Sequence, residues 1–390
     1  MRILIVGGGI AGFALAGLLQ QKKIDHVVVE RASSFRPLGH LIALKADGVK
    51  VLDRLGVRAA CEARALPGTN TMTYYTASGH RLHRQSTSGM SEALGGFMPI
   101  RRGDLADTLH RCIAGTTDVR YGTELSSIQQ DESGVVATLT DGSALRGDVL
   151  VGADGVHSSV RRIVFGAGGE HDLGGSYVAL EVTMAHDLRI GEIASYLGRG
   201  RSVNLVALTP NRIAAVVYHG GEDLRGRLKS PGDTRAFFAR EYAGFHPTIR
   251  TLFSAIDTES FVFVDSIEMV RLPNIVSNRV ALLGDAAACP TFLSGMGSAY
   301  AMLSAERLAD VLAGVSDVPR ALAEYARGAA AHAAVVQESA LRMRGFVLDR
   351  SHVKAAIRNS VLAVAPTEWL LSKAQRFYGA KAAAEHSTVG

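Results

Sequence analysis

Three separated stretches of this 390-residue chain combine glycines with an acid at a spacing that can do chemistry. Gly7, Gly9 and Gly12 fit the pattern G-x-G-x-x-G. In such a loop the first glycine permits a tight turn, the second lets a pyrophosphate approach the main chain, and the third lets a helix pack closely on the preceding strand. Glu30 follows, at a distance where an acid accepts hydrogen bonds from an adenosine ribose and suits a free 2′-hydroxyl better than a 2′-phosphate. Asp154 stands in Gly152-Ala153-Asp154-Gly155, and Asp285 in Gly284-Asp285-Ala286-Ala287. Taken singly, each of these aspartates is an ordinary helix N-cap at a strand-to-helix junction. Taken with the opening loop, capping and ribose binding are compatible.

The elements that must position these residues are legible around them. Arg2-Ile3-Leu4-Ile5-Val6 reads as a buried parallel strand and runs straight into the glycines. An apolar helical stretch through Leu15, Leu18 and Leu19 follows, then a second strand, His26 to Val29, that ends on Glu30. The helix start offers free N–H groups and the positive end of its dipole to phosphates. A secretory signal would need an unbroken apolar core and a small-residue cleavage site. Here glycines interrupt the run, and Gln20-Gln21-Lys22-Lys23 leads into the next strand.

Composition narrows the class further. The chain is 47% apolar and 20% charged with a formal charge of +5, which suits two globular domains and an appendage. No membrane span is expected, and no basic stripe or module for nucleic acid is visible. Cys61, Cys112 and Cys289 are far apart and odd in number, which predicts a reduced, cytoplasmic setting without disulfides. The 13 histidines form no metal-binding cluster, so no metal is expected.

Along the rest of the chain, Gly39 to Leu44 leads into a short strand, and Thr71 to Thr76 with Arg81 to Arg84 reads as a hairpin around Ser78-Gly79. A helix is predicted over Leu105 to Ile113. Val119 to Tyr121, Leu125 to Gln129, Val135 to Thr140 and Ala144 to Arg146 read as an antiparallel run with a turn at Asp141-Gly142. From Ser176 to Val264 short alternating strands predict an antiparallel sheet, interrupted by a helical piece over roughly Asp233 to Phe253. Arg279 to Leu283 returns to a buried strand before Asp285. Helices are predicted over about Gly297 to Leu312, Pro319 to Arg344, Arg350 to Ala363 and Glu368 to Tyr378, with Ala384 to Gly390 frayed.

The three motifs, with Pro99 to Leu105 between them, resemble the single-component (group A) flavoprotein monooxygenases of the para-hydroxybenzoate hydroxylase fold. The resemblance covers nearly the whole chain in motif order. It implies an α/β fold: a Rossmann-like FAD-binding domain, a second, antiparallel-sheet substrate domain and C-terminal helices. The expected boundaries are 1–72, 98–172 and 265–330 for the FAD domain, 73–97 and 173–264 for the substrate domain, and 331–390 for the helical region. The implied cofactor residues are Gly7, Gly9 and Gly12 at the pyrophosphate and Glu30 at the ribose, with Arg31 beside it. Arg102 would reach the FAD, leaving Arg101 at the surface. Asp154 would support FAD and nicotinamide binding, and Asp285 the ribityl hydroxyls. The main chain at Gly295, Met296 and Gly297 would face the flavin pyrimidine edge, and Gly39 to Leu44 would pass beside the flavin ring.

Two positions depart from the family pattern. Ala288 stands where a histidine is usual, and Phe292 where a proline is usual, the proline here being Pro290. Phe292 and Pro290 are therefore expected at the reaction face, with Tyr177, Tyr196 and Tyr218 as further candidate lining. The only tryptophan is Trp369, so the flavin-halogenase signature is absent. The resulting expectation is an FAD-dependent enzyme that takes hydride transiently from NADPH or NADH, uses molecular oxygen, and oxygenates a bulky, apolar small molecule of the secondary-metabolite kind. Catalysis is borne by the flavin rather than by a side-chain triad. The alternatives are a flavin-dependent reductase or dehydrogenase without oxygenation, and a flavin-carrying binding protein.

Overall fold

A computed structural model describes residues 1–37, 39–66, 71–86 and 96–377, the last four by backbone alone. The expectations that fall on 67–70, 87–95 and 378–390, among them the frayed tail and the final residue of the last helix, lie outside the described residues.

The first strand, Arg2–Val6, sits between Asp25–Glu30 and Val149–Gly152, parallel to both. Val280–Leu282 extends the sheet in parallel beyond Val149–Gly152, and Val276–Ser277 closes that edge antiparallel. Ile3, Leu4 and Ile5 are all fully buried, so both faces of the sheet are covered, as in doubly wound folds. The helix Ile10–Gln21 is apolar on every side because it is buried on every side, packed on the helices Arg102–Ile113 and Gly297–Leu312. Asp118–Tyr121 was expected in the antiparallel run. It instead forms the other parallel edge of this sheet, beside Asp25–Glu30. The antiparallel run proper is three-stranded: Leu125–Gln130, Val135–Leu139 and Ala144–Gly147.

The second sheet has seven strands in the order Phe261–Val270, Glu170–Thr183, Arg212–Gly220, Arg201–Thr209, Glu192–Leu197, Thr71–Thr76 and Arg81–Ser86. It is antiparallel except at one seam, where Glu192–Leu197 pairs in parallel with Thr71–Thr76. Those two strands are distant in sequence, so no hairpin dictates their sense. One face carries Val178, Leu180, Val203, Leu205 and Val217 under two helices, Pro231–Glu241 and Pro247–Ser254. The single helical piece expected here is divided because Pro247 lacks an N–H and keeps His246 extended, at ψ 148°.

A two-stranded ribbon, Leu41–Lys45 with Phe97–Arg101, lies between the sheets. The long helix Val318–Val347 fastens both sheets together. Its Tyr325 hydroxyl donates to the Leu282 carbonyl at 2.7 Å, in the first sheet. Its Gln337 amide and Arg344 guanidinium donate to the carbonyls of Val270 and Leu173, each at 2.7 Å, beside the second. Helices His352–Val364 and Thr367–Phe377 complete the described chain. Among the described residues, no helix is long and apolar enough to cross a membrane.

Candidate cofactor site and reaction face

Five parallel strands end at one edge of the first sheet, and all three glycine-and-acid stretches emerge there. This is the edge at which open α/β sheets bind ligands. Gly7 turns at φ +111°, and a Cβ on it would lie 2.4 Å from the Ala153 carbonyl oxygen, so the first and second motifs touch through bare backbone. A Cβ on Gly12 would lie 1.9 Å from the Gly7 carbonyl oxygen, a closeness only glycine permits. A Cβ on Gly9 would meet nothing within 4 Å. The main chain at Gly9 therefore borders open space, at the start of a helix that no side chain caps.

Glu30 closes the loop from the second strand. Its carboxylate accepts from the N–H of Gly8 at 2.7 Å and of Ala32 at 2.8 Å. Arg31 beside it is exposed. Asp154 has both oxygens engaged by the next helix, Ser159–Phe165. It accepts from the Ser158 hydroxyl, from the Ser159 N–H at 2.7 Å and hydroxyl at 2.8 Å, and from the Val160 N–H at 3.1 Å. The N-cap of that helix is Ser158, whose hydroxyl accepts from the Arg161 N–H at 2.9 Å, and Asp154 satisfies the Ser159 and Val160 N–H groups from ahead of it. Any second role falls on what its loop presents rather than on a spare oxygen.

Asp285 opens the short helix Asp285–Ala288. Burial pushes its carboxyl above the usual range, while the nearby Arg102 guanidinium pulls the other way. Arg102, the first residue of its own helix, is exposed at the crevice, and its field also reaches His40 and Tyr177. Gly297 follows close by, its Cβ position 3.8 Å from an Asp285 carboxylate oxygen. Between them the chain makes a tight loop. Thr291, though not glycine, takes φ +64°, held by its hydroxyl accepting from the Leu293 N–H at 3.0 Å. Gly295 is left-handed, and Met296 precedes the helix Gly297–Leu312 without capping it. The helices that begin after Gly9, Arg101, Gly284 and Met296 have no side-chain cap, nor do those after Lys45 and Val57. The helix that follows the second motif is capped by Ser158, and those after Ser230, His246, Asp317 and Ser351 are capped by those side chains.

Phe292 stacks flat on Tyr177, with centroids 4.2 Å apart and planes at 4°. Tyr218 lies 6.0 Å from Phe292. The expected Tyr177, Tyr218 and Phe292 therefore come together, with Pro290 in the same loop. Tyr196 does not join them. Strand register explains the split: Tyr177 opposes Tyr218, whereas Tyr196 opposes Val203, which opposes Val217 and so shares the other face. Tyr196 stacks there on Tyr75 at 4.9 Å.

Four residues to which the sequence reading assigns no individual role take part. His40 is buried, its ring edge-on to Phe292 at 4.8 Å, and Phe263 packs 5.9 Å from Tyr177. Burial, with help from Arg102, lowers the His40 imidazole from 6.5 to about 4, so it is neutral near pH 7. Glu181 is buried on the same face and accepts from Arg101 at 2.9 and 3.2 Å and pairs with Arg212 at 3.1 Å. Arg101 is thus no loose surface cation, because a buried carboxylate needs it. Arg161, inside the second motif, is fully buried; it donates to the Ala286 carbonyl at 3.1 Å and so joins the second motif to the third. Ala288, by contrast, points away from the aromatic face, into a cluster with Tyr300, Ala333 and Val336.

The profile of a family described as an FAD binding domain matches residues 1–340. The chain belongs to this FAD-binding family. It is 31% identical over 310 residues to an FAD-dependent urate hydroxylase of Mycolicibacterium vanbaalenii, covering 77% of each chain. It is 27% identical over 332 residues to the aurachin C monooxygenase/isomerase of Stigmatella aurantiaca, covering 83% of this chain and 84% of that one. In three dimensions it is similar to Klebsiella pneumoniae HpxO complexed with FAD and uric acid, with a TM-score of 0.84 and 26% identity over 97% and 96% of the two chains. The α/β architecture with its FAD-binding sheet, second sheet and C-terminal helices is that of these flavoproteins. The crevice fits the cofactor: bare glycine at the turn, open space at Gly9, and helix starts that no side chain closes.

Proposed function

We propose that this enzyme is an FAD-dependent monooxygenase that consumes NADPH or NADH and oxygenates a bulky, largely apolar, planar small molecule of the secondary-metabolite kind. The observation that carries the substrate class is the flat Tyr177–Phe292 pair, extended by Tyr218, Phe263 and His40. Arg101 and Arg212 on that face are consumed by Glu181. A face of this kind stacks and desolvates a planar ring.

In this reading, residues 1–72, 98–172 and 265–330 form the FAD domain, 73–97 and 173–264 the substrate domain, and the helical region from 331 braces both. Gly7, Gly9 and Gly12 receive the pyrophosphate on main-chain N–H groups. Glu30 takes the adenosine ribose, with Arg31 near, and Asp285 takes the ribityl hydroxyls. Arg102 and the main chain of Gly295, Met296 and Gly297 set positive potential at the flavin, and the Asp154 loop shapes the entrance. When bound, FAD supplies the electrons and the oxygen activation. The protein contributes orientation and dryness. Tyr177 and Phe292 fix the ring plane, and the neutral His40 imidazole has one nitrogen free to accept a proton or hydrogen bond from a substrate hydroxyl or N–H.

The test is turnover under labelled oxygen with NADPH and a panel of planar apolar heteroaromatics, with urate alongside. One labelled oxygen atom in a product, coupled to NADPH consumption, is the expected result. Reduced product free of label would establish the reductase reading instead. Of the two departures from the family pattern, Ala288 lies off the reaction face.

A further inference from the structure

A cavity of about 280 Å³ opens at one end of the seven-stranded sheet, beside the turn between Glu192–Leu197 and Arg201–Thr209 and the end of Arg212–Gly220. Its floor is largely glycine, from the turn Gly198 to Gly200 and from Gly220, and three arginines line it. Arg201 is spoken for: it bonds the Glu241 main chain and pairs with the Glu241 carboxylate at 2.6 Å. Glu241 is matched again by Arg240 at 3.0 Å. Arg350 lies across bare backbone, since a Cβ on Gly200 would meet its stem at 2.6 Å and one on Gly221 its guanidinium at 2.5 Å. Neither Arg350 nor Arg199 has an ion pair or side-chain hydrogen bond with any described residue. Two unmatched guanidinium groups in a pocket with little side-chain bulk suit a phosphoryl group.

A second observation adjoins the pocket. Three residues after Arg350, the helix His352–Val364 turns an apolar stripe to solvent. Val353 is 67% exposed, Ile357 58%, Val361 37% and Val364 81%, with Trp369 in the next helix at 45%. The spacing puts these valines and Ile357 on one helical face. The opposite face is anchored: Leu362 is buried, and Arg358 donates to the carbonyls of Phe346 at 2.8 Å and Gly198 at 3.0 Å. Over this segment Arg350, Lys354, Arg358 and Lys373 outnumber Asp349 and Glu368. A second copy docked on the stripe would oppose like charges. An anionic surface would not.

We propose that this face docks peripherally on an anionic phospholipid bilayer, with a head-group phosphate between Arg199 and Arg350 and the Val353–Val364 stripe and Trp369 in the interfacial layer. The proposal is independent of the reaction assignment, because none of these residues touches the reaction face.

The experiment is sedimentation of the FAD-loaded full chain with phosphatidylcholine vesicles, with and without phosphatidylglycerol, at low and high salt. Binding only to the anionic vesicles, weakened by salt, is expected. Replacing Arg199 and Arg350 by Ala should lower the partition coefficient about fivefold per arginine. I357E with V364E should abolish binding while flavin content and thermal midpoint stay unchanged, since both side chains are already exposed. Equal sedimentation with and without vesicles overturns the proposal. So does a dimer that I357E/V364E dissociates, which would make the stripe a contact between copies. So does saturable binding of inorganic phosphate at the arginines without vesicle binding, which would make the pocket a site for a soluble anion.

Discussion

At the scale of single residues, two glycines of one loop do different work. Gly12 is required by the fold, because its α-carbon packs on the Gly7 carbonyl. Gly9 is required only by what comes to it, because nothing of the protein is near. Gly12→Ala should therefore yield an unstable, colourless protein. Gly9→Ala should fold with an unchanged melting temperature in the apo form but bind FAD about tenfold more weakly, a loss of about 1.4 kcal/mol. Flavin absorbance per protein and apo-state melting separate the two.

His40 makes a second prediction at this scale. Its folded value is lowered, so between about 6.5 and about 4 the unfolded chain binds the extra proton and the native chain does not. Stability from this group is complete above 6.5 and drains away as pH falls toward 4. The shift is worth on the order of 3 kcal/mol. His40→Phe should flatten the stability profile across that window relative to the wild type, as measured by urea unfolding at a series of pH values. An unchanged slope would mean that the imidazole is already solvated.

Among the elements, the fastening between motifs is the exposed weakness. Arg161 is the only described side chain seen to bond the second motif to the Ala286 carbonyl, and it also bonds Val156 and Glu170. Arg161→Met removes donors from buried carbonyls and should cost about 2–4 kcal/mol. The urea midpoint should fall with its slope unchanged, and FAD affinity should fall with it. Phe292→Ala removes the stacked partner of Tyr177 without touching the fastening. It should raise KM for a planar substrate about tenfold and leave flavin content alone, the aromatic contact being worth roughly 0.5–1.5 kcal/mol beyond its buried area.

Elements were also where sequence reading divided most clearly. The opening strand, its glycine loop and the helix Gly297–Leu312 are local: periodicity and glycine spacing state them outright. The side of the sheet on which Tyr196 falls is not local. It depends on the pairing of Tyr196 with Val203, which no property of Tyr196 announces. The parallel seam at Thr71–Thr76 and the move of Asp118–Tyr121 to the edge of the first sheet depend likewise on partners far along the chain. Arg101 reads as a surface residue because its counterion, Glu181, lies 80 residues away on another sheet. His40 carries no signal of its own beyond sitting next to the Gly39 loop.

At the scale of the whole molecule, one helix, Val318–Val347, is bonded to both sheets, so the cofactor crevice and the aromatic face are set against each other by an element that belongs to neither. The helix starts described above add to this. Those after Gly9, Arg101, Gly284 and Met296 carry no side-chain cap and would receive FAD in the function proposed above. FAD would then stabilise the native state by mass action, increasingly as its concentration exceeds Kd. Hydrogen exchange should show the amides of residues 10–12 and 297–299 slowing on FAD loading while those at residues 232–234 do not change. In a growing cell, riboflavin supply would accordingly govern how much of this polypeptide survives proteolysis, and starvation for the vitamin would thin the enzyme out before it merely idled.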